Sequence, residues 1–363
     1  MSLFKKKPRC LGLDIGEHSI TMAEVAQNGN KYELVNYISA PTPKGAIEGE
    51  FVRDGSQLVE TLHQMASVIH REVPPVATSI SGQSVFIRHL TLPMMPEDEL
   101  AEAVKYEAEA HLPIPSKEAT IDFLKVGEVK EAGVKKQEVM VVAARKHAVE
   151  QLAELIRAAG LNPVAMDVEP LALFRTLQLS LRGNQKLPDC FTVVQMGANS
   201  TNISIFHNNI LRFTRTLPTG GNKLNMALVN HYGMSMEEAE STKRLLDFSG
   251  NLDDHGLAVL LHQKLELVSP ILEALLAEIK RSNEYFTAKH RDLEIQEVFL
   301  TGGGSLLRGL DTFMSDGLAV PTSLINPLDY LQIGPNLRAR ENEILEAGSA
   351  LALAVGLALS EVS

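Results

Sequence analysis

Two stretches of this sequence, 181 residues apart, follow the same pattern, and this repetition constrains the fold more than any other feature. Leu11–Ser19 (LGLDIGEHS) aligns without gaps on Thr192–Ser200 (TVVQMGANS). Each copy is a short apolar strand that ends in a polar residue, followed by an x-Gly pair and a polar turn. Internal repetition on this scale indicates two related structural units. We therefore predict two lobes separated by a cleft, with both glycine turns facing the cleft.

Each repeat continues into two further strands, so that each lobe is predicted to open with a β-hairpin. Asn-Gly favours a two-residue hairpin turn because both positions must accept a positive φ. From the alternation of polar and apolar residues, the predicted strands are Thr21–Ala26 and Lys31–Ala40 in the first lobe, and Asn202–His207 and Leu211–Leu217 in the second, with turns at Asn28-Gly29 and Asn209-Ile210.

Length and composition exclude several classes of protein. The 363 residues are 45% hydrophobic and 22% charged, which is typical of a globular chain with a large core. A formal net charge of −11 argues against binding to nucleic-acid phosphates. Two cysteines, Cys10 and Cys190, are too few for a disulfide framework or a structural zinc site, so we expect a reducing, cytoplasmic compartment. The longest apolar stretch, Ala347–Leu359, is shorter than the roughly 20 residues that cross a bilayer.

The segment between the two repeats has an organisation of its own. Residues 83–169 follow a β-α-β-β-α-β order and contain none of the glycines of the repeats, so we expect a compact inserted α+β subdomain. The predicted division of the chain is a first lobe made of residues 1–82, 170–188 and a C-terminal helix at 344–363, the insertion at 83–169, and a second lobe at 189–343 with a helical subdomain at about 223–293.

A third glycine-rich stretch, Gly302-Gly303-Gly304, follows the predicted strand Glu297–Leu300. Glycine lets the backbone adopt a positive φ and approach an anion closely, so turns of this kind can cradle a phosphate group. The helix predicted next, Leu306–Met314, would direct its N-terminal dipole toward such an anion. Three glycines that merely turn a strand into a helix are the alternative interpretation.

At these residues the sequence resembles the actin-like ATPase superfamily, which includes actin, the DnaK-type chaperones, the sugar kinases and FtsA. Within that superfamily it is most similar to the PilM family of type IV pilus assembly proteins. The superfamily motifs are Asp14-x-Gly16 as the first phosphate hairpin, Gly197-x-x-x-Thr201 as the second, and Gly302-Gly303-Gly304 as the adenosine turn. The family motifs, in order, are Phe4-Lys5-Lys6-Lys7, Leu92-Pro93, Glu107-Ala108-Glu109-Ala110-His111-Leu112-Pro113, Leu217-Pro218-Thr219-Gly220-Gly221, Ala239-Glu240-x-x-Lys243 and Glu278-Ile279-Lys280-Arg281-Ser282.

The resemblance implies an α/β fold of two actin-like (ribonuclease H-like) lobes with a small inserted α+β subdomain, as in FtsA. It also implies that ATP, with Mg²⁺, binds in the cleft between the lobes. We assign no catalytic residue. The nucleotide-binding residues that the resemblance implies are Asp14, Gly16, Ser19, Gly197, Asn199, Ser200, Thr201, Gly220, Gly221, Glu240, Lys243, Ser282, Gly302, Gly303 and Gly304.

Three residues depart from the superfamily pattern at the phosphate site. Gln195 replaces the Asp that normally helps to organise Mg²⁺, and a neutral amide is a weaker ligand for a hard dication than a carboxylate. Glu17 stands where relatives often have Ser or Thr, and adds a negative charge near a bound triphosphate. Thr21 replaces a Lys that would neutralise phosphate charge. All three changes weaken the site, so fast hydrolysis is not expected.

The resemblance implies a cytoplasmic scaffold, peripheral at the inner membrane, that binds the N-terminal cytoplasmic segment of the inner-membrane protein PilN and links it to other pilus assembly proteins. An FtsA-like cell-division ATPase and a kinase of the same fold are the alternatives. A kinase needs a carboxylate as catalytic base, and the sequence shows no obvious candidate near Gln195. Nucleic acid is not an expected partner. Contact with a membrane is expected only through partners or weakly through the basic leader, Phe4, Lys5–Lys7 and Arg9.

The insertion is the expected site of partner recognition, because it lies outside the nucleotide machinery. We predict that an extended peptide binds in a groove between the first lobe and the insertion, near the strand Ser84–Leu92. The residues predicted to contact it are Arg88 as a hydrogen-bond donor and Leu92, Met94 and Met95 as apolar contacts. The alternative is that these residues form the core of the insertion.

Overall fold

The computed structural model describes residues 10–29, 31–49, 51–69, 74–180, 186–249, 256–290 and 292–360. The basic leader, Phe4 to Arg9, lies outside these ranges. The strands are β1 (Leu11–Ile15), β2 (Ser19–Asn28), β3 (Lys31–Pro41), β4 (Ile47–Glu48), β5 (Phe51–Val52), β6 (Val76–Ile80), β7 (Val85–Pro93), β8 (Ala119–Glu131), β9 (Val134–Arg145), β10 (Pro163–Val168), β11 (Cys190–Met196), β12 (Thr201–His207), β13 (Ile210–Leu217), β14 (Glu297–Thr301), β15 (Thr322–Leu324) and β16 (Leu331–Ile333).

The helices divide among the lobes, the insertion and a layer between the lobes. They are α1 (Gly55–Ile69), α2 (Glu97–His111), α3 (Lys146–Ala158), α4 (Glu169–Ser180), α5 (Gly221–Tyr232), α6 (Met236–Lys243), α7 (Gly256–Lys289), α8 (Leu310–Leu318), α9 (Glu341–Ala347) and α10 (Ala352–Ala358). Within the described ranges, no helix is both long enough and apolar enough to cross a membrane.

The first lobe is built on a six-stranded sheet in the order β10-β6-β1-β2-β3-β16. β1 pairs antiparallel with β2 and parallel with β6. Helices α1 and α3 cover the outer face of this sheet. The apolar residues Leu58, Leu62 and Met65 of α1 recur at helical spacing, so they share one face and pack against Leu11 and Leu13 of β1.

The second lobe is built on a five-stranded sheet in the order β13-β12-β11-β14-β15. Its outer face packs against α5 to α8 through a large apolar cluster that includes Val194, Ile203 and Leu300. In both lobes the first two strands form an antiparallel hairpin at the repeat. The duplicated hairpin and the sheets around it agree with the predicted two-lobed α/β fold.

Helices α4 and α10 lie between the two sheets and contribute to the cores of both lobes. Gly12 on β1 allows α10 to approach closely, since an added Cβ would lie 1.9 Å from the carbonyl oxygen of Ala354. Gly356 on α10 does the same toward α4, with an added Cβ 1.9 Å from the carbonyl oxygen of Ala172. Any side chain at either position would force these layers apart.

The insertion is a three-stranded sheet in the order β7-β9-β8, with α2 packed on one face. The sequence placed two more elements in it, and the structure puts both in the first lobe. α3 packs beside α1, and β10 pairs with β6 in the six-stranded sheet. The apolar face of α3, including Leu155 and Ile156, needs the first-lobe core for burial. The predicted boundary at residue 169 therefore lies inside the first lobe, and the other domain boundaries remain predictions.

Both hairpin turns differ slightly in position from the sequence prediction. In the first hairpin Asn28 pairs with Lys31, so the turn begins at Gly29, one residue later than predicted. In the second hairpin His207 pairs with Ile210, and the turn residues Asn208 and Asn209 both have positive φ. Both predicted turns were thus wrong by one residue, in opposite directions. Asparagine tolerates this conformation better than most residues, which explains a tight turn without glycine.

Candidate functional site: a nucleotide cleft and a peptide groove

The two repeats meet at the cleft through equivalent turns. In the first, the backbone N–H of Gly16 donates to the carbonyl oxygen of Ser19 at 3.0 Å, and in the second Gly197 donates to Ser200 at 2.8 Å. Residues 181 positions apart therefore make the same backbone hydrogen bond in the two turns. The structure brings Gly16 and Ser19, and Gly197 and Ser200, together as two turns at strand ends, as the sequence predicted.

Asp14 lies at the end of β1, on the same face of the sheet as Gly12 and therefore toward α10. Burial and the nearby charge of Glu169 raise the pKa of Asp14 to about 7. Thr21 is the residue opposite Asp14 on β2, and its Oγ1 lies 3.4 Å from the Oγ of Ser39. The register therefore places a neutral hydroxyl opposite Asp14, at the position where the superfamily pattern has a lysine.

Glu169 is a carboxylate that the sequence interpretation missed, since no candidate was expected near Gln195. It begins α4 directly after β10, whose carboxyl end lies at the same sheet edge as that of β6. The amide of Asn202 donates to Glu169 Oε2 at 2.8 Å and lies 3.4 Å from Gln195 Oε1. Burial raises the pKa of Glu169. Its position as the first polar residue after a predicted strand was the available signal.

Asp14, Glu169 and Gln195 offer two carboxylates and an amide oxygen, which are the donor types that Mg²⁺ prefers. The raised pKa values of Asp14 and Glu169 mean that burial destabilises the charged form of each carboxylate, and a nearby dication would relieve this. The residues therefore fit a magnesium ion in type. Across the described ranges, no group of three or more His, Cys, Asp or Glu side chains forms a metal cluster.

The loop between β13 and α5 docks on the second hairpin turn. Gly221 N–H donates to the carbonyl oxygen of Gly197 at 3.0 Å, and Thr201 Oγ1 donates to that of Thr219 at 2.7 Å. An added Cβ at Gly220 would lie 2.6 Å from the carbonyl oxygens of both Gly197 and Ala198. The structure therefore brings Gly220, Gly221 and Thr201 together at the turn of the second hairpin.

A row of asparagine side chains links that hairpin to α5. Asn222 Nδ2 donates to Asn199 Oδ1 at 2.9 Å, and Asn225 Nδ2 lies 3.3 Å from Asn222 Oδ1. Asn199 in turn donates to the carboxylate of Glu17 in the first hairpin turn. This contact joins the two lobes across the cleft. Neither the row of amides nor the contact with Glu17 was predicted from the sequence.

Glu240 and Lys243 of α6 stand at the other end of this row. Glu240 Oε2 accepts from Lys243 Nζ at 2.6 Å and from Asn225 Nδ2 at 2.7 Å. Burial raises the pKa of Glu240, but hydrogen bonds from Lys243, Asn225 and Arg244 outweigh it and hold the pKa at about 2. Glu240 therefore stays charged, and Lys243 lies 3.1 Å from where a Cβ of Gly221 would be. Lys243 thus lies beside the glycine turn, and nucleotide binding by Glu240 and Lys243 stays a prediction.

The third glycine turn packs on the end of β11. Gly302 has a φ of 86°, and an added Cβ would lie 2.5 Å from the carbonyl oxygen of Met196. Gly304 is also close to Met196, whereas a Cβ at Gly303 would meet no atom within 4 Å. The three glycines therefore lie beside the second hairpin.

The helix expected immediately after these glycines begins later, so this prediction was wrong. Residues Gly303–Leu306 form a 3₁₀ turn, closed by Ser305, whose backbone N–H and Oγ both donate to the carbonyl oxygen of Gly302. α8 starts only at Leu310, after the left-handed Gly309. The N-terminal dipole of this helix is thus not adjacent to the glycines.

Ser282 is the candidate that the structure sets apart from the glycine turns. Its Oγ donates to the carbonyl oxygen of Glu278 at 2.9 Å and lies 3.3 Å from Arg215 Nη1. The next residue, Asn283, accepts from Thr192, three residues before Gln195 on β11. Ser282 therefore lies beside the face of the second sheet and not at the strand ends.

A groove of about 390 Å³ follows β7, an edge strand of the insertion, and residues Arg88–Pro93 and Glu107 line it. Arg88 is exposed, and its guanidinium donates to the carbonyl oxygen of Ile87. Leu92 lines the groove but is only 6% exposed, because it packs in the apolar cluster under α2. Met94 is 44% exposed, whereas Met95 packs against that cluster. Leu92 and Met95 thus pack in the core of the insertion, as the alternative interpretation held, whereas peptide contact by Arg88 and Met94 stays a prediction.

The same strand also ties the insertion to the second lobe. His89 Nε2 lies 2.6 Å from the carbonyl oxygen of Leu211 on β13. The neighbouring Arg212 forms an ion pair with Glu138 of β9, and both side chains are largely buried. Burial lowers the pKa of His89. Sequence patterns gave no signal for this contact, because it joins strands from two separate sheets.

Comparison with solved structures defines the class of protein. The fold matches that of the ethanolamine utilization protein EutJ from Carboxydothermus hydrogenoformans, with 18% identity over 96% of this chain and 88% of that one, at a TM-score of 0.58. It also matches MreB 5 of Spiroplasma citri bound to AMPPNP, with 13% identity over 97% and 95% of the two chains, at a TM-score of 0.52. Together with the paired hairpins, these matches show an actin-like ATPase fold.

A further structure, a PilM-PilN type IV pilus biogenesis complex, is 29% identical over 98% of this chain and 99% of that one, at a TM-score of 0.81. Residues 12–362 match the model of the family described as type IV pilus assembly protein PilM. The chain belongs to this family.

Proposed function

We propose that this chain is a cytoplasmic scaffold of type IV pilus assembly, which binds the N-terminal cytoplasmic peptide of an inner-membrane PilN-like protein. The observation that carries the proposal is the groove along β7, in a chain that aligns over nearly its full length with one solved as a PilM-PilN complex. A net charge of −11 supports protein and not nucleic-acid partners. Bound to this partner, the chain would lie peripherally at the inner membrane and link the PilN-like protein to other pilus assembly proteins. The basic leader would at most add a weak membrane contact.

The groove suits an extended peptide. An edge strand presents unpaired backbone groups, so a peptide can add to it as a further strand. Met94, directly after the groove-lining Pro93, offers exposed apolar surface, and Arg88 offers a donor for a backbone carbonyl or an acidic side chain. Because alternate side chains of an added strand point to the same side, two apolar peptide residues would contact this surface.

We infer that ATP, with Mg²⁺, binds between the hairpins and is hydrolysed slowly or not at all. The two phosphate hairpins, the glycine turn at Gly302 and the pair Glu240–Lys243 support nucleotide binding. Three residues argue against fast hydrolysis. Thr21 provides no positive charge beside the phosphates, Gln195 is not a carboxylate ligand for Mg²⁺, and Glu17 adds a negative charge. Glu169 is a carboxylate in the cleft, and any residual hydrolysis would depend on it.

Titration of a synthetic peptide, the N-terminal cytoplasmic residues of a PilN-like protein from the same organism, tests the partner site. Met94→Glu should weaken binding by about tenfold or more, since it puts a charge on exposed apolar surface, without changing the melting temperature. Leu124→Glu is the matched control, because Leu124 is 54% exposed on β8, the opposite edge of the same sheet. Arg88→Glu, in the groove itself, should also weaken binding, and equal affinity of the Met94 and Arg88 variants and the unmodified protein would rule out this groove.

Phosphate release by the purified protein tests the inference on hydrolysis. We expect turnover well below about 1 per second, the lower end of the usual enzyme range. Glu169→Gln should abolish whatever turnover remains. Turnover at or above that value would show that the chain is an active ATPase and contradict the scaffold proposal in its present form.

A further inference from the structure

The contact between Glu17 and Asn199 joins the turns of the two phosphate hairpins. Glu17 lies in the turn of the first lobe, directly after Gly16, and its carboxylate accepts from the side-chain amide of Asn199 in the second. A second contact between the lobes near the cleft is the ion pair Lys44–Glu237, whose side chains are 94% and 70% exposed. Both contacts are exposed to solvent, so neither contributes much to stability.

The orientation of the Asn199 amide is fixed by the residues behind it. Its Oδ1 accepts from Asn222, whose own Oδ1 faces the amide of Asn225, and Asn225 also donates to the charged Glu240. Reversing Asn199 would place its amide against the amide of Asn222 and its carbonyl against the carboxylate of Glu17. The row of amides therefore directs an N–H group into the space between the hairpins. A donor in this place is suited to an anion.

A buried group in the same row supports this fixed polarity. Asn225 is 1% exposed, and its Oδ1 has no hydrogen-bond partner within the described residues. Leaving a buried acceptor unpaired is unfavourable, yet both N–H groups of Asn225 are used toward Asn222 and Glu240. Both N–H groups of Asn225 are thus directed along the row, and its carbonyl oxygen is left unpaired.

We propose that Glu17 determines phosphate-number specificity, so that the cleft binds a nucleoside diphosphate in preference to a triphosphate. This inference rests on the proposed nucleotide binding. The carboxylate of Glu17 takes the Asn199 donor that a terminal phosphate oxygen would otherwise accept from. A triphosphate must displace this carboxylate and lie beside its charge, whereas a diphosphate leaves the contact between the hairpins in place. Like charges at such short range repel each other, although water at this exposed contact weakens the repulsion.

The test is a comparison of the affinities for ADP and for a non-hydrolysable ATP analogue, both with Mg²⁺, by calorimetric titration. Glu17→Gln keeps an acceptor for Asn199 and removes the charge, so it should strengthen binding of the ATP analogue by about tenfold or more relative to ADP. Glu17→Ala removes both charge and acceptor and should shift the ratio in the same direction. Glu60→Gln, an exposed carboxylate on α1, is the matched control and should leave the ratio unchanged.

Three results would overturn the inference. A preference of the unmodified protein for the ATP analogue would contradict it directly. An unchanged ratio in both Glu17 variants, with unchanged melting temperatures, would show that the charge has no role, although nucleotide binding itself would stand. Failure of the unmodified protein and all variants to bind either nucleotide would remove the proposed nucleotide site and this inference together.

Discussion

Gly302 and Gly303 are neighbours in one motif, yet the structure constrains them differently. Gly302 needs a positive φ and lies against the backbone of β11, whereas a side chain at Gly303 would enter open space. The sequence motif alone treats the two as equivalent. The difference comes from the packing of the turn on Met196, which local sequence does not reveal.

We expect Gly302→Ala to lower the free energy of unfolding by about 2 kcal/mol or more, because a Cβ would both strain the backbone and collide with the Met196 carbonyl. Gly303→Ala should change it by less than about 0.5 kcal/mol. Urea denaturation of the two variants makes the comparison. Equal losses in both would show that the turn is not packed on β11 as described.

Asp14 should make stability depend on pH. Its folded pKa of about 7 lies above the ordinary value, so between roughly pH 4 and 7 the native chain holds a proton that the unfolded chain releases. The free energy of unfolding contributed by Asp14 therefore falls as pH rises through this range. Asp14→Asn should raise stability at pH 8 by about 1–3 kcal/mol and change it little at pH 4. The measurement is thermal melting of the variant and the unmodified protein between pH 4 and 8, without and with Mg²⁺. A stabilisation by Asp14→Asn that is larger at pH 4 than at pH 8 would contradict the prediction.

The elements were predicted from the sequence with differing success, for physical reasons. The hairpins were found because their alternation and glycines are local signals, and β10 was expected as the last strand of the β-α-β-β-α-β segment. α3 was found as a helix but assigned to the wrong unit, since an amphipathic pattern shows that a face is buried and not what covers it. α8 was placed too early because the 3₁₀ turn at Gly303–Leu306 shares the residue preferences of a helix start.

The cleft residues also divide into those that the sequence predicted and those that it did not. Asp14, Gly16, Gly197 and Gly302 lie at strand ends, where sequence motifs are read directly. Glu169 and the row of amides could not be predicted in the same way, because their positions depend on the pairing of β10 with β6 and the docking of α5 on the second hairpin. Non-local pairing carries no signature in a single sequence.

At the scale of a single helix, α10 depends on Gly356. Gly356→Ala should lower the free energy of unfolding by about 3 kcal/mol or more, because the new Cβ would overlap the backbone of α4 at Ala172. Gly127→Ala on β8 is a suitable control, since a Cβ there would meet no atom within 4 Å. Chemical denaturation distinguishes them, and a stable Gly356 variant would mean that α4 and α10 are further apart than described.

Across the whole molecule, the insertion is held to the second lobe through Arg212. Arg212→Ala leaves the carboxylate of Glu138 with only His89, whose Nδ1 lies 3.4 Å from Glu138 Oε1, and should favour opening of this contact by roughly 2 kcal/mol, less than for a fully buried pair. Hydrogen exchange should then increase in β7 and β13. Arg215→Ala, on the same strand but paired with Glu278, should leave exchange in β7 unchanged. Unaltered exchange in both variants would show that Arg212 does not fasten the insertion.

The placement of α10 has a consequence for the synthesis of the chain. Gly12 on β1 and Ala354 on α10 touch in the native state but are separated by 342 residues in the sequence. At about 5–20 residues per second, the ribosome needs roughly 20–70 s between them. During that time the facing surfaces of the two sheets both lack α10, one of the two helices that cover them. Neither lobe can complete its core as the chain emerges, so the final packing of both occurs after translation has passed α10.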